Sequence, residues 1–172
     1  MQMVKQILGA FVLSLVLLWL FAPKQELYFL LEKTLKENDI VISNETVVDR
    51  WYGIEINHAD LYIKGINMAK INSLKLNFFF VYTNLDIDDI IMDKSLQNMA
   101  PKSIENLHAD WSILDPLHVG ISGVGSFGSM NGSVALLDRK VKIRFPVAKN
   151  INSFKKFLRK DPKEGWYYET TY

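Results

Sequence analysis

Three histidines are the first residues of this chain whose type and spacing could do chemistry. His58, His108 and His118 lie in segments that alternate apolar and polar residues, which predicts strands. If the strands carrying His108 and His118 are neighbours, the two imidazoles and Asp110 could approach one another as metal ligands. The chain lacks the helical HxxxH and the CxxC spacings typical of such sites. Histidines on the solvent-facing side of a sheet are therefore the favoured interpretation, and we expect no metal.

A second candidate is the glycine-rich run 120–132, in which five glycines are interleaved with serines. A phosphate-binding loop needs a strand, a glycine loop and then a helix, and GxxxxGK[ST] is absent. The pattern Gly-x-Ser-x-Gly of a nucleophile elbow is absent too. Glycines in strands mark bulges, tight bends or the close approach of another backbone. We therefore expect a structural role for this run and no cofactor.

Alternating carboxylates at Asp86, Asp88 and Asp89 resemble the start of a calcium loop, but the loop glycine and the distal glutamate are missing. Residues 84–99 instead suggest a short helix, because aspartates in a first turn favour the helix dipole. Pro101 would end it. No catalytic residue emerges from these candidates, so the chain is not expected to be an enzyme.

Charge is distributed unevenly along a chain whose formal net charge is only +1. Seven acidic residues lie between Asn84 and Asp115, and ten Lys or Arg lie between Arg139 and Gly165. The basic stretch lacks the exposed aromatic side chains of a nucleic-acid platform, so nucleic acid is not an expected partner. Docking to an acidic protein or to anionic headgroups, or two merely solvated faces, remain open. The predicted partner-binding basic patch comprises Arg139, Lys140, Lys142, Arg144, Lys155, Lys156, Arg159 and Lys160.

The longest apolar run, ILGAFVLSLVLLWLF at 7–21, predicts a membrane anchor. With Ala22 it reaches sixteen residues, slightly under the roughly 17–25 of a membrane-spanning helix, and Met3 and Val4 extend it if Lys5 snorkels. A signal peptide would need a small-x-small cleavage site, which the sequence around Pro23 lacks. We predict an uncleaved signal anchor over 1–23. Its anchoring residues are Ile7, Leu8, Phe11, Leu15, Leu18, Trp19 and Phe21.

An amphipathic helix is predicted at 24–38, followed by a change to strand periodicity. Leu27, Leu30, Leu31, Thr34 and Leu35 make one helical stripe. The helix could lie in the membrane interface or cap a sheet, and the lack of a strongly cationic face favours the cap.

The remaining chain, with the helix, forms one predicted domain over 24–172. Its fold class is mainly β (α+β), a curved antiparallel sheet of seven to nine strands joined by short turns, with one or two short helices. The apolar phase changes near Ala59–Asp60, which predicts a bulge or turn there. A basic amphipathic helix is predicted at 151–160. Leu74, Leu76, Phe78 and Phe80 point one way along one strand and predict a hydrophobic groove.

Three features resemble a known family. Phe21-Ala22-Pro23-Lys24 follows the anchor directly, and GIEINHADLYIKGI and LHVGISGVGSFGSMNGSVALLDRKVKIRF are strand–Gly–strand runs. This order resembles the N protein of type II secretion systems, whose periplasmic part is similar to the AsmA-type β-folds. The resemblance implies an accessory subunit of an envelope machine without catalytic residues. Competence, pilus and flagellar-motor assemblies would be served equally well by such a domain.

Two functions follow as expectations. In the first, the chain is a non-enzymatic scaffold or assembly factor of an envelope-spanning machine, and other protein subunits are its partners. In the second, it handles lipid or another hydrophobe on the apolar face of its sheet, as AsmA-like and lipopolysaccharide-carrier modules do. In both, the chain is a single-pass protein of the bacterial inner membrane with its bulk in the periplasm. The absence of cysteine excludes a disulfide-dense ectodomain.

Overall fold

Two helices lead into a single large sheet in the computed structural model of this chain. The structure describes residues 2–21, 24–79, 81–163 and 165–172, and the side chain of Leu27 lies outside that description. The helices are α1 (Gln2–Leu20) and α2 (Lys24–Glu37). The strands are β1 (Ile40–Ser43), β2 (Thr46–Arg50), β3 (Gly53–Ile63), β4 (Ile66–Phe78), β5 (Tyr82–Met92), β6 (Ser103–Ser112), β7 (Asp115–Gly125), β8 (Gly128–Ala135), β9 (Lys140–Ala148), β10 (Arg159–Asp161) and β11 (Gly165–Thr171).

The sheet is antiparallel throughout its described strands, in the order β1-β3-β4-β5-β6-β7-β8-β9-β11-β10. From β3 to β9 each strand pairs antiparallel with the next one along the chain. Short turns join these neighbours, except for the longer connection 93–102 between β5 and β6. β1 and β2 pair with successive parts of β3 and together form one interrupted edge strand. The mainly β, antiparallel prediction is confirmed. The predicted number of seven to nine strands is wrong, since the sheet has eleven.

The acidic segment that suggested a helix at 84–99 is largely β5. Leu85 and Ile87 point to one side and Asp86 and Asp88 to the other, which is the period of a half-buried strand. β5 pairs along its length with β4 and β6. These two ladders of hydrogen bonds outweigh the weak preference of aspartate for a first helical turn.

The helix predicted at 151–160 is also replaced by other structure. Two 3-10 turns, Ile151–Ser153 and Lys155–Phe157, are followed by the short strand β10. Phe154 is buried as expected, whereas Phe157 is 47% exposed. The segment is too short to form a stable helix without an apolar stripe packed over several turns.

A line of backbone irregularities crosses five strand segments in register. Its members, here called the bulge line, are Glu45, His58, Asn72, Asp89 and Glu105; none of the five appears in the strand-to-strand register of its neighbours. His58 and Asp89 have left-handed backbones, with φ of 58° and 54°. On β3 the buried residues change from Ile54 and Ile56 to Ala59 across this line. The predicted phase change is therefore confirmed, and it extends across neighbouring strands.

Because each strand shifts phase at the same level, one face of the sheet stays apolar on both sides of the bulge line. This inner face carries the described core clusters, around Ile56, Ile87 and Phe127. The opposite, outer face carries polar rows such as Glu55–Lys75–Asp86. The alternation of the strands thus separates an apolar face from a polar one.

Helix α2 covers the inner face at one end of the sheet, where it contacts β1, β2 and β3. The prediction that it caps a sheet is confirmed. The buried stripe differs from the predicted one, because Tyr28 is 6% exposed while Leu30 is 61% exposed. Burial and the nearby carboxylate of Glu45 raise the pKa of the Tyr28 hydroxyl, which donates a 3.3 Å hydrogen bond to Glu45 Oε1.

The other end of the inner face is covered by the segment of 3-10 turns. Phe127 is 1% exposed, and its ring meets Phe145 edge to face at a centroid separation of 5.6 Å. Ile151 and Phe154 complete this cluster. The sheet is therefore covered at both ends by different segments, with its central strands lying between them.

Candidate functional site

The central part of the inner face is apolar and remains partly exposed. Cross-strand pairing aligns one row of side chains over β5 to β11: Leu85, Ala109, Ile121, Gly132, Ile143 and Tyr168. A second row aligns Trp111, Val119, Val134 and Val141. Except at Gly132, all these positions carry apolar or aromatic side chains, and each is only partly buried. The sheet thus presents a wide apolar surface that its own described side chains do not fully bury.

Glycine at the centre of this surface brings two strands close together. A Cβ at Gly132 would collide with the backbone oxygen of Lys142 and would lie 2.9 Å from Ile143 Cα. A Cβ at Gly125 would lie 2.5 Å from the backbone oxygen of Ser103. The expectation that the glycine run is structural is confirmed at these positions, since a side chain would force the backbones apart.

A groove of about 470 Å³ lies at the end of this surface, beside the 3-10 turns. We call it the apolar groove. Volumes of this order are typical of small-molecule sites, which are mainly lined by apolar and aromatic groups. Its lining consists of Met99, Ala100, Pro101, Ile104, Phe127, Met130, Ile143, Phe145, Phe154, Phe157, Leu158 and Tyr168. The Tyr168 hydroxyl is the polar side-chain group of that lining.

The residues predicted to line a groove lie elsewhere on the same face. Leu74 and Phe78 pack against the core cluster that contains Tyr28, under α2. Leu76 and Phe78, with Tyr28, line a small cavity of about 70 Å³ there. Phe80 lies outside the described residues. The apolar groove of about 470 Å³ lies over β8 and β9 instead.

Helix α1 is long and apolar enough to cross a membrane by its length and composition, and none of its central window is buried. A signal sequence near an amino terminus meets the same criteria. Six of the seven predicted anchor residues are exposed, namely Ile7, Leu8, Phe11, Leu15, Leu18 and Phe21. Ala22 and Pro23, which contributed to the domain boundary and the family resemblance, lie outside the described residues.

The seventh anchor residue, Trp19, contacts the sheet. Its indole N–H donates a 3.0 Å hydrogen bond to the backbone oxygen of Phe78, and its ring lies 5.7 Å from that of Trp51 and 6.3 Å from that of Phe79. The Lys24 ammonium group lies 6.0 Å from the Trp19 ring centroid, a cation–π distance. The end of α1 is thereby joined to the ends of β3 and β4.

The eight residues of the predicted basic patch fall in three places. Arg144 and Arg159 flank Tyr167 in one cross-strand row of the outer face, and Lys142 lies 5.4 Å over the Tyr167 ring. Lys155 and Lys160 lie 4.9 and 5.6 Å from the Trp166 ring, and Lys156 lies over Phe157. Lys140 pairs with Glu169 at 3.2 Å beside the turn that contains Arg139. The basic residues therefore surround the last strands rather than forming one flat patch.

Among the histidines, His108 is the most constrained. Its Nδ1 lies 2.5 Å from Asp86 Oδ1, and its Nε2 lies 4.0 Å from Asp110 Oδ1. Ser122 on β7 is the cross-strand partner of His108. His118 faces Ala135 instead and contacts Asp115 at 2.7 Å. The imagined His108–His118 pair is not formed, and within the described ranges no group of three or more His, Asp or Glu is placed to hold a metal.

A cavity of about 670 Å³ lies along the bulge line, and its lining combines polar side chains with apolar ones that include Ile71 and Ile90. Asn44 donates a 2.7 Å hydrogen bond to Asp60 there, and Lys70 lies 3.9 Å from the same carboxyl group. His58 and Asp89 line it with their left-handed backbones.

The sequence analysis missed the apolar groove because its lining comes from five separate segments. The inward phase of Ile143 and Phe145 was visible, and so was the apolar character of Phe154. The pattern of residues in the sequence did not indicate that the 3-10 turns would lie above β8 and β9. No protein-family model matches the chain, and neither a curated protein nor a solved structure matches it significantly.

Proposed function

We propose that this chain is a membrane-anchored module that binds the acyl chains of lipids, or similar hydrophobes, on the inner face of its sheet. The observation that carries the proposal is the apolar groove beside a partly exposed apolar row. Apolar surface left in water costs roughly 25 cal/mol per Å², so a ligand that covers it would be stabilised. A scaffold with a closed core would not leave such a groove.

The anchor supports the same proposal. A single-pass protein of the bacterial inner membrane, with its sheet in the periplasm, would meet lipid at high local concentration. The resemblance of its strand–Gly–strand runs to AsmA-type β-folds agrees with hydrophobe handling. None of the described residues that line the groove is charged. The bound part of the ligand is therefore expected to be its hydrocarbon chain, with the headgroup in water.

The test is lipid mass spectrometry on the full chain after gentle extraction, comparing wild type with Met130→Trp and Asn131→Trp. Met130 lines the groove, whereas Asn131 is the next residue and pairs across strands with Ser122 and Arg144 on the outer face. We expect co-purifying acyl chains in wild type and in Asn131→Trp, and their loss in Met130→Trp. Circular dichroism establishes that both variants are folded. Wild-type protein without lipid above a mock extraction would refute the proposal.

A second candidate function, an envelope scaffold, is favoured by the division of charge on the outer face. Asp86, Asp88 and Asp110 lie on its central strands, and Arg144 and Arg159 lie on its last strands. Such a division is suited to steering a partner of complementary charge. In-cell crosslinking would support this function if defined protein adducts form and if Arg159→Glu removes them.

A further inference from the structure

The turns at one end of the strands expose apolar side chains. This is also the end of the sheet that contacts α1. In an antiparallel meander the alternate turns lie at the same end, so five chain segments meet here. We call this set the apolar edge. It comprises Trp51 of the β2–β3 turn, Val81 of the β4–β5 turn, Ile113 and Leu114 of the β6–β7 turn, Leu136 and Leu137 of the β8–β9 turn, and Tyr172 after β11.

The exposure of these side chains is high for residues of their type. Leu114 is 92% exposed, Leu137 is 75% exposed and Trp51 is 62% exposed. Exposed apolar side chains that are contiguous rather than scattered mark interaction sites. Turn tips are normally built from Gly, Asn, Asp and Ser, so four turns with exposed apolar residues on one edge are not explained by turn chemistry.

Backbone hydrogen bonds hold neighbouring turns of the apolar edge together. The Ile113 N–H donates a 3.0 Å bond to the Val81 oxygen, and the Leu136 N–H donates a 2.8 Å bond to the Leu117 oxygen. The Tyr172 N–H donates a 3.0 Å bond to the Arg139 oxygen. These bonds tie neighbouring segments of the apolar edge to one another.

The opposite edge of the sheet differs in composition. Its turns contain Lys64–Gly65, the segment 93–102, Ser126–Phe127 and Lys149–Asn150. Phe127 is buried, and the exposed large apolar side chains at these turns are Ile66 and Met99. The Asp93 carboxylate accepts hydrogen bonds from the backbone N–H and hydroxyl of Ser95. Among the described residues, exposed apolar turn residues are thus concentrated on the apolar edge.

The position of α1 identifies what covers the apolar edge. Trp19 lies near the end of a helix of membrane-spanning length, and it contacts Trp51, Phe79 and the Phe78 oxygen at this edge. Tryptophan and tyrosine are enriched at membrane–water interfaces, where an apolar ring and a polar N–H or O–H are both satisfied. An edge joined to the end of a spanning helix is held at the level of the lipid headgroups.

We infer that the apolar edge inserts into the interfacial layer of the membrane leaflet at which α1 ends. The inference rests on the anchor in the proposed function and is independent of acyl-chain binding. It places the inner face of the sheet so that its apolar rows begin at the lipid surface. The edge mixes Arg139 and Lys140 with Asp115 and Asp138. Insertion is therefore expected to depend on apolar burial and not on anionic lipid.

The absence of cysteine makes a site-specific test direct. Leu114→Cys and Leu137→Cys report on the apolar edge, Lys94→Cys on the exposed opposite edge and Leu13→Cys on the middle of α1. Each full-length variant is labelled with a fluorophore and reconstituted in phosphatidylcholine vesicles that contain nitroxide-labelled lipid. We expect the fluorophore to be quenched several-fold more strongly at positions 114 and 137 than at position 94. We also expect strong quenching at position 13.

Each other outcome overturns the inference in a distinguishable way. If the label at position 13 is quenched but the labels at 114 and 137 are quenched no more than the label at 94, the apolar edge stays clear of lipid. If those two labels were also shielded from iodide, a protein partner or a second copy would cover the edge instead. Failure of quenching at 13 would overturn the anchor itself. The lipid mass spectrometry described above is a separate readout, so loss of acyl-chain binding would leave this result standing.

Discussion

The indole N–H of Trp19 and the backbone oxygen of Phe78, 59 positions apart in the chain, form a 3.0 Å hydrogen bond. Phe78 also packs in the core cluster under α2. The bond therefore ties the end of the membrane-length helix to the sheet at the point where α2 covers it. The junction is built from aromatic rings and one main-chain acceptor, which are groups suited to a membrane surface.

Replacing Trp19 with phenylalanine should weaken the contact between α1 and the sheet while keeping an aromatic ring at this position. The lost hydrogen bond should lower the free energy of unfolding by about 0.5–1.5 kcal/mol. Urea denaturation in detergent micelles, followed by circular dichroism, measures the change. Trp51→Phe is the control, because Trp51 is largely exposed and should give a smaller effect. Equal effects of the two substitutions would argue against the hydrogen bond as the cause.

Truncation of Phe127 should be among the most damaging core substitutions. Phe127→Ala is expected to cost about 3–5 kcal/mol, because the side chain is fully buried and the cavity cannot collapse easily. Phe157→Ala removes the same atoms from a half-exposed position of the same region and should cost much less. Chemical denaturation of both variants tests the difference. Comparable losses would mean that Phe157 is more buried than described.

The left-handed backbone of His58 makes a prediction opposite to ordinary strand preference. His58→Val should destabilise the protein by about 1–2 kcal/mol, since a β-branched residue is strained at a φ of 58°. His58→Gly should be neutral or stabilising. Asn57→Val, one residue earlier on β3, should be tolerated because valine favours extended strands. Thermal unfolding of the three variants tests this prediction. If His58→Val were tolerated, the left-handed backbone at His58 would not explain the phase change.

The pair Arg50–Glu55 predicts a pH response. Hydrogen bonds from Arg50, at 2.6 and 3.1 Å, lower the pKa of the Glu55 carboxyl. A lowered pKa means that the ionised carboxylate stabilises the folded state above the carboxyl's ordinary pKa, and that this contribution is lost as pH falls through the lowered value. NMR titration should give a low midpoint for Glu55, and Arg50→Gln should raise it.

The matched control for that titration is Asp93. Hydrogen bonds from the Ser95 hydroxyl and backbone N–H lower the pKa of Asp93. Arg50→Gln should leave its midpoint unchanged, because those donors lie on a different turn. A shift at both carboxyl groups would indicate a general change in the fold rather than the loss of one ion pair.

Much of the fold followed from the period of the apolar residues. The phase change near Ala59–Asp60 predicted a bulge or turn, and the alternation of apolar and polar residues predicted the antiparallel sheet. The errors occurred where a local preference competed with long-range pairing. Asp86 and Asp88 suit a helix start, yet the hydrogen bonds of β5 to two neighbours decided the strand. Which side of α2 is buried likewise depends on the strands that the helix packs against, and in the structure Leu30 is exposed.

The sequence by itself determined that an apolar helix precedes a two-faced antiparallel sheet, because hydrophobic period and turn residues are local properties of the chain. Tertiary structure alone decided that the bulges align across the strands and that the 3-10 turns form one wall of the apolar groove. It also brought four turns with apolar residues, together with Tyr172, to the edge beside Trp19. These are relations between residues far apart in the chain, and they are set by strand register and packing, which no single segment encodes.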